Sequence, residues 1–399
     1  MLSAEQRYFI QIVKDYLNMA KTENVVQTNW DELFSIFKRH QLLGILNNQC
    51  NKFIDSPTEK TVFDYSVAEL VVYQNRARLY DKIKKKFTQE KIHFISVKGL
   101  NVAKYYPIPQ NRTMGDCDII VHTYDLKKAD KAMKELGFDF RQTPDFENSY
   151  KKGNIFFEIH DHLLYNEIAN TKGDISFCNT VWDVSVPQDD SSEFLLDESF
   201  HFLFLLLHLK KHLIHKGAGF RQFIDIYLVA KKAKLDWDYI NDKLEMLNLV
   251  KFAQVCATLT ERWFGDNSTT FGFPLIHIDD EFFNLATQKI FSNGIFGFDD
   301  ENNDINTNLQ YQINKEKFTL NKRIIAKIRV VFPSYNNLRF SPKYSFVNKK
   351  PWLLPYVWVY RIFFIAFNKS ARKSIRSDNS GSNDEIIKRK IFLENFGLL

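Results

Sequence analysis

Apolar positions recur at intervals of three and four through the first 90 residues, so this stretch reads as helical. Ser3 with Gln6 forms a capping box for a helix running to about Asn18, and Asn29 caps a second helix, WDELFSIFKRHQLLGILNN. A longer helix is expected over roughly 58–89, free of Gly and Pro after Pro57 and ending in the basic run KIKKKF.

The period then changes. HFISV (93–97) is a short β-branched and aromatic run, followed by Lys98-Gly99 and a helix-like stretch to Tyr106. Pro107 and Pro109 mark a loop, CDIIV (117–121) a strand, DLKKADKAMKEL (125–136) a helix, and Gly137 its stop. FDFRQ (138–142) and NIFFEIH (154–160) read as further strands, none with an internal Pro. From Phe194 to about Gly265 the pattern is helical again, with later segments at 219–232, 236–248 and 249–264. The fold class expected is α+β, a small mixed β-sheet flanked by N-terminal helices and a C-terminal helical bundle. The expected division is a helical region (1–90), an α/β core (91–190), a helical domain (191–310) and a C-terminal tail (311–399).

Within the tail, 352–367 is an apolar run that contains Arg361 and falls short of the roughly 20 residues a spanning helix needs. It is either a helix packed on the body or an interfacial helix with Trp/Tyr anchors and a cationic flank, giving peripheral membrane contact through 351–376. Residues 298–308 read as a polar surface loop and 374–385 as flexible.

Composition adds two constraints. Hydrophobic content of 45% excludes global disorder. The four cysteines, Cys50, Cys117, Cys178 and Cys256, form no C-x-x-C pair, so no zinc knuckle or disulfide framework is expected. With an N-terminus unlike a secretion signal, a cytoplasmic setting follows, peripheral to the inner membrane face if the tail binds lipid. Charge is uneven. Residues 311–399 carry 18 Lys/Arg against 5 Asp/Glu, so the net +6 of the chain leaves −7 for the first 310 residues. Such a tail suits an anionic neighbour or is a solvated basic surface. Aromatic and basic residues mix in 311–350 (Tyr335, Arg339, Phe340, Tyr344), but no RNA-binding signature is present, so nucleic acid is not the expected partner.

The chemistry centres on Asp116 and Asp118. Period two places both on one strand face, with Cys117 towards the core. Two close carboxylates repel, and a divalent cation such as Mg²⁺ (or Mn²⁺) is the usual compensation. Glu158 lies among Phe156, Phe157 and Ile159, where an unpaired carboxylate is costly, and His160 shares its face. Lys98 beside Gly99 at a helix start favours phosphate.

These residues carry a resemblance. Val97-Lys98-Gly99, Tyr106-Pro107, Arg112, Asp116-x-Asp118 and Glu158-x-His160, with Arg221 four before Asp225, resemble the bacterial uncharacterised nucleotidyltransferase family of the DNA-polymerase-β-like superfamily over roughly residues 30–265. Leu100 stands where that superfamily usually has Gly or Ser. The resemblance implies a nucleotidyltransferase core that moves a nucleoside monophosphate from an NTP to an acceptor hydroxyl of unknown identity, on a small molecule, carbohydrate precursor or protein. Asp116, Asp118 and Glu158 would hold the metal and carry the reaction, with Lys98, Gly99 and Arg112 at the phosphates. A non-catalytic nucleotide- or partner-binding module of the same fold is the alternative. Open between substrate contact and support are His160, Arg221 and Asp225; Arg221–Asp225 also reads as a plain i,i+4 ion pair. His201, His208, His212 and His215 share a helix face, which admits metal, substrate or structural roles.

Overall fold

The computed structural model describes residues 2–23, 28–54, 56–142, 148–164, 170–214, 217–266, 270–294, 332, 335, 350–367 and 383–399. The first helix, α1 (Ala4–Leu17), starts as the capping box predicts: the Gln6 N–H donates to Ser3 Oγ, and the Ser3 N–H to Gln6 Oε1. The expected second helix is two. Between α2 (Trp30–Arg39) and α3 (Leu43–Cys50), Gln41 takes φ +53°, and the Leu42 N–H bonds back to Phe37 O. This left-handed stop is usually a glycine's, so the sequence hides it. A single long helix, α4 (Ser56–Gln89), then leads into the sheet.

Among the described residues seven strands follow: β1 (Phe94–Ser96), β2 (Asp116–Val121), β3 (Asp139–Gln142), β4 (Asn148–Lys152), β5 (Ile155–His160), β6 (Ser185–Pro187) and β7 (Glu193–Leu196). They lie in the order β3-β4-β5-β2-β1-β7-β6, with β2/β5 and β1/β7 parallel and the other pairs antiparallel. Short α5 (Gly99–Val102) follows β1, α6 (Leu126–Glu135) joins β2 to β3, and α7 (Lys172–Cys178) precedes β6.

Phe194–Leu196, read from sequence as the start of a helix, belongs to β7 beside β1. The helix α8 (Glu198–Ile214) starts one residue after Asp197, whose Oδ1 accepts the Phe200 N–H. An N-terminal cap of this kind ends the strand and fixes the helix start. Three helices, α9 (Phe220–Lys232), α10 (Trp237–Met246) and α11 (Val250–Phe264), complete the bundle expected from sequence, and α12 (Asp280–Asn293) joins it.

Pleat alternation separates two packed layers. Cys117, Ile119, Val121, Phe157 and Ile159 pack on α4 and α6 through Ile83, Phe87, Ala132 and Met133. Ile95 and Ile120, on the opposite face, join the larger core of the helices. Beyond residue 350 the structure describes α13 (Leu354–Phe367) and α14 (Asn383–Asn395). The latter returns Phe392, Leu393 and Phe396 to the main core, so 383–385, expected to be flexible, start a docked helix. The loop expected at 298–308 lies outside the described residues.

His40 gives the core a pH dependence. His40, fully buried among the rings of Phe9, Phe220 and Phe291, is pushed down from 6.5 to about 3, first by burial and then by the Arg39 charge. Below pH 6.5 the unfolded chain takes up a proton that the folded ring refuses. Its contribution to stability is therefore complete above pH 6.5 and is lost as pH falls towards 3. Between pH 7 and 5 this amounts to about 2 kcal/mol. Urea denaturation across that window should show a falling midpoint with a shallower slope in His40→Leu; an unchanged slope in the variant would refute the assignment.

Candidate active site

The parallel β2/β5 register sets Asp118 directly beside Glu158 and Ile120 beside His160. One oxygen of Asp118, one of Glu158 and a His160 ring nitrogen lie within 4.8 Å of one another, a group able to hold a metal ion. Two hard carboxylates with one imidazole suit a divalent cation that keeps open positions for other ligands. Asp116, expected in that group with Asp118 and Glu158, stands at the exposed mouth of β2 and lies outside it. Its charge still acts on the same cleft. Desolvation, followed by the Asp118 charge, raises the Asp116 carboxyl above its ordinary value, while Lys98 and Arg221 oppose the rise.

Asp118 behaves in the opposite way. Burial pushes its carboxyl up, but Lys98 and His160 outweigh burial and hold it well below the carboxylate range. Lys98 Nζ donates to Asp118 Oδ1 at 2.7 Å, and His160 Nε2 lies 3.1 Å from the same oxygen and 3.6 Å from Glu158 Oε2. For His160, burial lowers the ring pKa and the bonds to Asp118 and Glu158 raise it, to about 9. Without a metal the two carboxylates thus favour the protonated ring, and His160 would release that proton to ligate an ion.

Lys98 is held in a costly backbone shape, φ +54° and ψ −121°, at the start of α5. For a residue with a side chain this costs about 1–3 kcal/mol. Two bonds fix it: the ammonium on Asp118, and its N–H, which donates to His201 Nε2 at 3.0 Å. Burial drives the His201 ring down to about 4, so it stays neutral with a nitrogen free to accept. Gly99 itself has no positive φ; a Cβ there would sit 2.7 Å from Met114 Sδ and 2.8 Å from Arg112 Nη1. The glycine serves close approach, and the strained position is the lysine's.

Arg112, expected at the phosphates, is buried against Asp225: Nη2 donates to Oδ2 at 2.6 Å and Nε to Oδ1 at 3.2 Å. The Tyr106 hydroxyl donates to the same carboxylate at 2.7 Å. The i,i+4 reading of Arg221–Asp225 is thus replaced by a pair 113 residues apart. Arg221 Nη1 instead reaches Gln41 Oε1 and Thr113 O, both at 2.9 Å. Burial first and the Arg112 charge second lower its guanidinium to about 10. These bonds fasten the Arg112–Gly115 approach to β2 onto α9 and onto the left-handed turn at Gln41.

His208 and His212 face each other on α8, Nε2 to Nε2 at 3.2 Å, and burial holds His208 well below its ordinary value. His215 lies outside the described residues. Sequence reading passed over Glu69 and Arg76 on α4. Arg76 Nη2 donates to Met114 O at 2.6 Å, bracing the same loop. Burial raises the Glu69 carboxyl, with the charges of Arg76 and Arg221 opposing. Their seven-residue spacing on one helix face was the available signal.

The model of the uncharacterised nucleotidyltransferase family matches residues 27–265, more than half of the chain, and the chain belongs to that family. It is a nucleotidyltransferase enzyme by that membership. No curated protein and no solved structure matches the chain.

Two outcomes follow from the bracing. Asp225→Ala leaves the Arg112 charge buried and unpaired, which should cost about 3–5 kcal/mol in chemical denaturation; a loss under 1 kcal/mol would remove the pair's structural role. His201→Leu deletes the acceptor for the Lys98 N–H and should lower turnover roughly 10–100-fold with little change in thermal midpoint. His201→Gln, which can place an acceptor at the same point, should restore most of it. Equal loss in both variants would show that the hydrogen bond is not what matters.

Proposed function

We propose that the chain transfers a nucleoside monophosphate from an NTP to an acceptor hydroxyl, with Asp118, Glu158 and Asp116 as the acidic centre and Mg²⁺ or Mn²⁺ as the ion. The carrying observation is the β2/β5 register that places Asp118 beside Glu158, with Lys98 on Asp118. Family membership supplies the reaction class. A divalent ion bound at these carboxylates would offset triphosphate charge and polarise the phosphorus under attack.

Each residue then has a role that its surroundings support. Asp118, held ionised by Lys98 and His160, is a ligand that stays charged near neutrality. Glu158, paired with Asp118 across β2 and β5 and less enclosed than Phe157 and Ile159, completes the site in this reading and accepts the proton of the attacking hydroxyl. Asp116 stands at the open mouth, where the triphosphate enters. Lys98 is the cation that can swing from Asp118 to a phosphate oxygen as charge develops there, and Arg221 extends the positive wall. Arg112 acts at one remove, through the loop that it and Asp225 hold in place.

Purified protein given NTPs labelled at the α-phosphate, with Mg²⁺ or Mn²⁺, should release pyrophosphate or label a nucleophile-bearing acceptor. Asp118→Asn should reduce this at least ~100-fold. Lys98→Gln should mainly raise KM for the NTP. Nucleotide binding with no pyrophosphate release, across all four NTPs, both ions and a panel of hydroxyl acceptors, would instead favour a binding module.

A further inference from the structure

We propose that α13 is an interfacial anchor that lays this protein on an anionic lipid bilayer. Its packing is one-sided. Val357 is 1% exposed, with Tyr335, Leu354 and Trp358 packed against it, and Phe332 meets Trp358 edge-on at 5.8 Å. The other side meets solvent with Trp352 (72% exposed), Tyr356 (64%), Val359 (51%), Tyr360 (41%) and Ile362 (43%). At 100° per residue the four that lie in α13, Tyr356, Val359, Tyr360 and Ile362, fall within an arc of about 160°, and Trp352 stands in the tight turn just before them. Large apolar side chains exposed together in one stripe mark a surface that meets a partner.

The chemistry of the stripe selects the partner. Trp and Tyr combine an apolar ring with a polar tip, and they settle where hydrocarbon gives way to headgroups. The helix spans Leu354–Phe367, about 21 Å at 1.5 Å per residue, against a hydrocarbon core of about 30 Å. No helix among the described residues is long and apolar enough to cross a membrane, and on a bilayer a helix of this length and one-sided exposure lies in the plane. The sequence around it is of one sign: 343–376 contains eight Lys/Arg and no Asp or Glu. Such a flank is drawn to an anionic leaflet. The same charge disfavours a second copy, which would bring two equally basic segments together, and nucleic acid has no use for an uncharged aromatic stripe between the cations.

The proposal stands apart from the reaction at the carboxylates and is tested without it. Full-length protein is sedimented with vesicles of phosphatidylcholine alone and with vesicles that also contain phosphatidylglycerol. Binding is expected to the mixed vesicles, weakened several-fold by added salt, and little to phosphatidylcholine alone. The triple variant Trp352→Ser/Tyr356→Ser/Val359→Ser should lose at least ~10-fold in vesicle affinity while keeping the wild-type thermal midpoint, since all three side chains are exposed. Charge reversal at Lys349 and Lys350 should steepen the loss on phosphatidylglycerol only. Three results would overturn the proposal: no vesicle binding by the wild type, equal binding by the triple variant, or concentration-dependent self-association that the triple variant abolishes with no lipid binding.

Discussion

The crowding of like charge around Asp118 governs the rest of the site. A second carboxylate within 4.8 Å of a buried first one costs on the order of 3–4 kcal/mol at an effective dielectric of 20, before either is desolvated. Ordinary core packing has no answer to that penalty. The fold answers it locally, with an ammonium from the β1–α5 turn and an imidazolium two residues along β5, both on the same Asp118 oxygen. Asp118 is thereby kept ionised while Asp116, a few ångströms outward, is pushed the other way. Neighbouring acids with divergent proton affinities are a recurrent mark of sites that handle charge in transit.

Holding those cations in place explains much of the surrounding helical structure. Lys98 adopts a backbone conformation that its side chain penalises, and it is kept there by Asp118 at one end and by His201 on α8 at the other. The loop before β2 is fastened from two helices at three points: Arg76 of α4 on Met114 O, Arg221 of α9 on Thr113 O, and Asp225 of α9 on Arg112. Gln41, at the break between α2 and α3, closes the set by bonding both Thr113 and Arg221. The helices therefore do more than bury the sheet. They set the depth at which Asp116 and Asp118 emerge.

What the sequence could and could not disclose follows from the range of each interaction. β2 and β5 were legible because their alternation is local, and so were the capping box at Ser3 and the α9–α11 bundle. β7 was lost in an apolar run continuous with α8, where only Asp197 marks the boundary. The helix break at Gln41 was hidden because the left-handed residue is not glycine. The group expected was Asp116, Asp118 and Glu158, and strand register decides which acidic side chains come closest. Pairing Asp118 with Glu158 leaves Asp116 about 6.6 Å back along the strand and brings His160 forward instead. The Arg112–Asp225 pair joins residues that no local pattern connects, and the strain at Lys98 exists only once α8 is packed.

Charge separates the two ends of the chain in a way that bears on the tail. The first 310 residues carry −7, yet the cations that compensate the acidic cleft among the described residues, Arg76, Lys98, Arg112, His160 and Arg221, all come from that same acidic portion. The excess of +13 in residues 311–399 flanks a helix that exposes Tyr356 and Tyr360 to solvent. Long-range attraction to an anionic surface needs only net charge, whereas residence on it needs apolar depth. The tail has both within one stretch of about 35 residues.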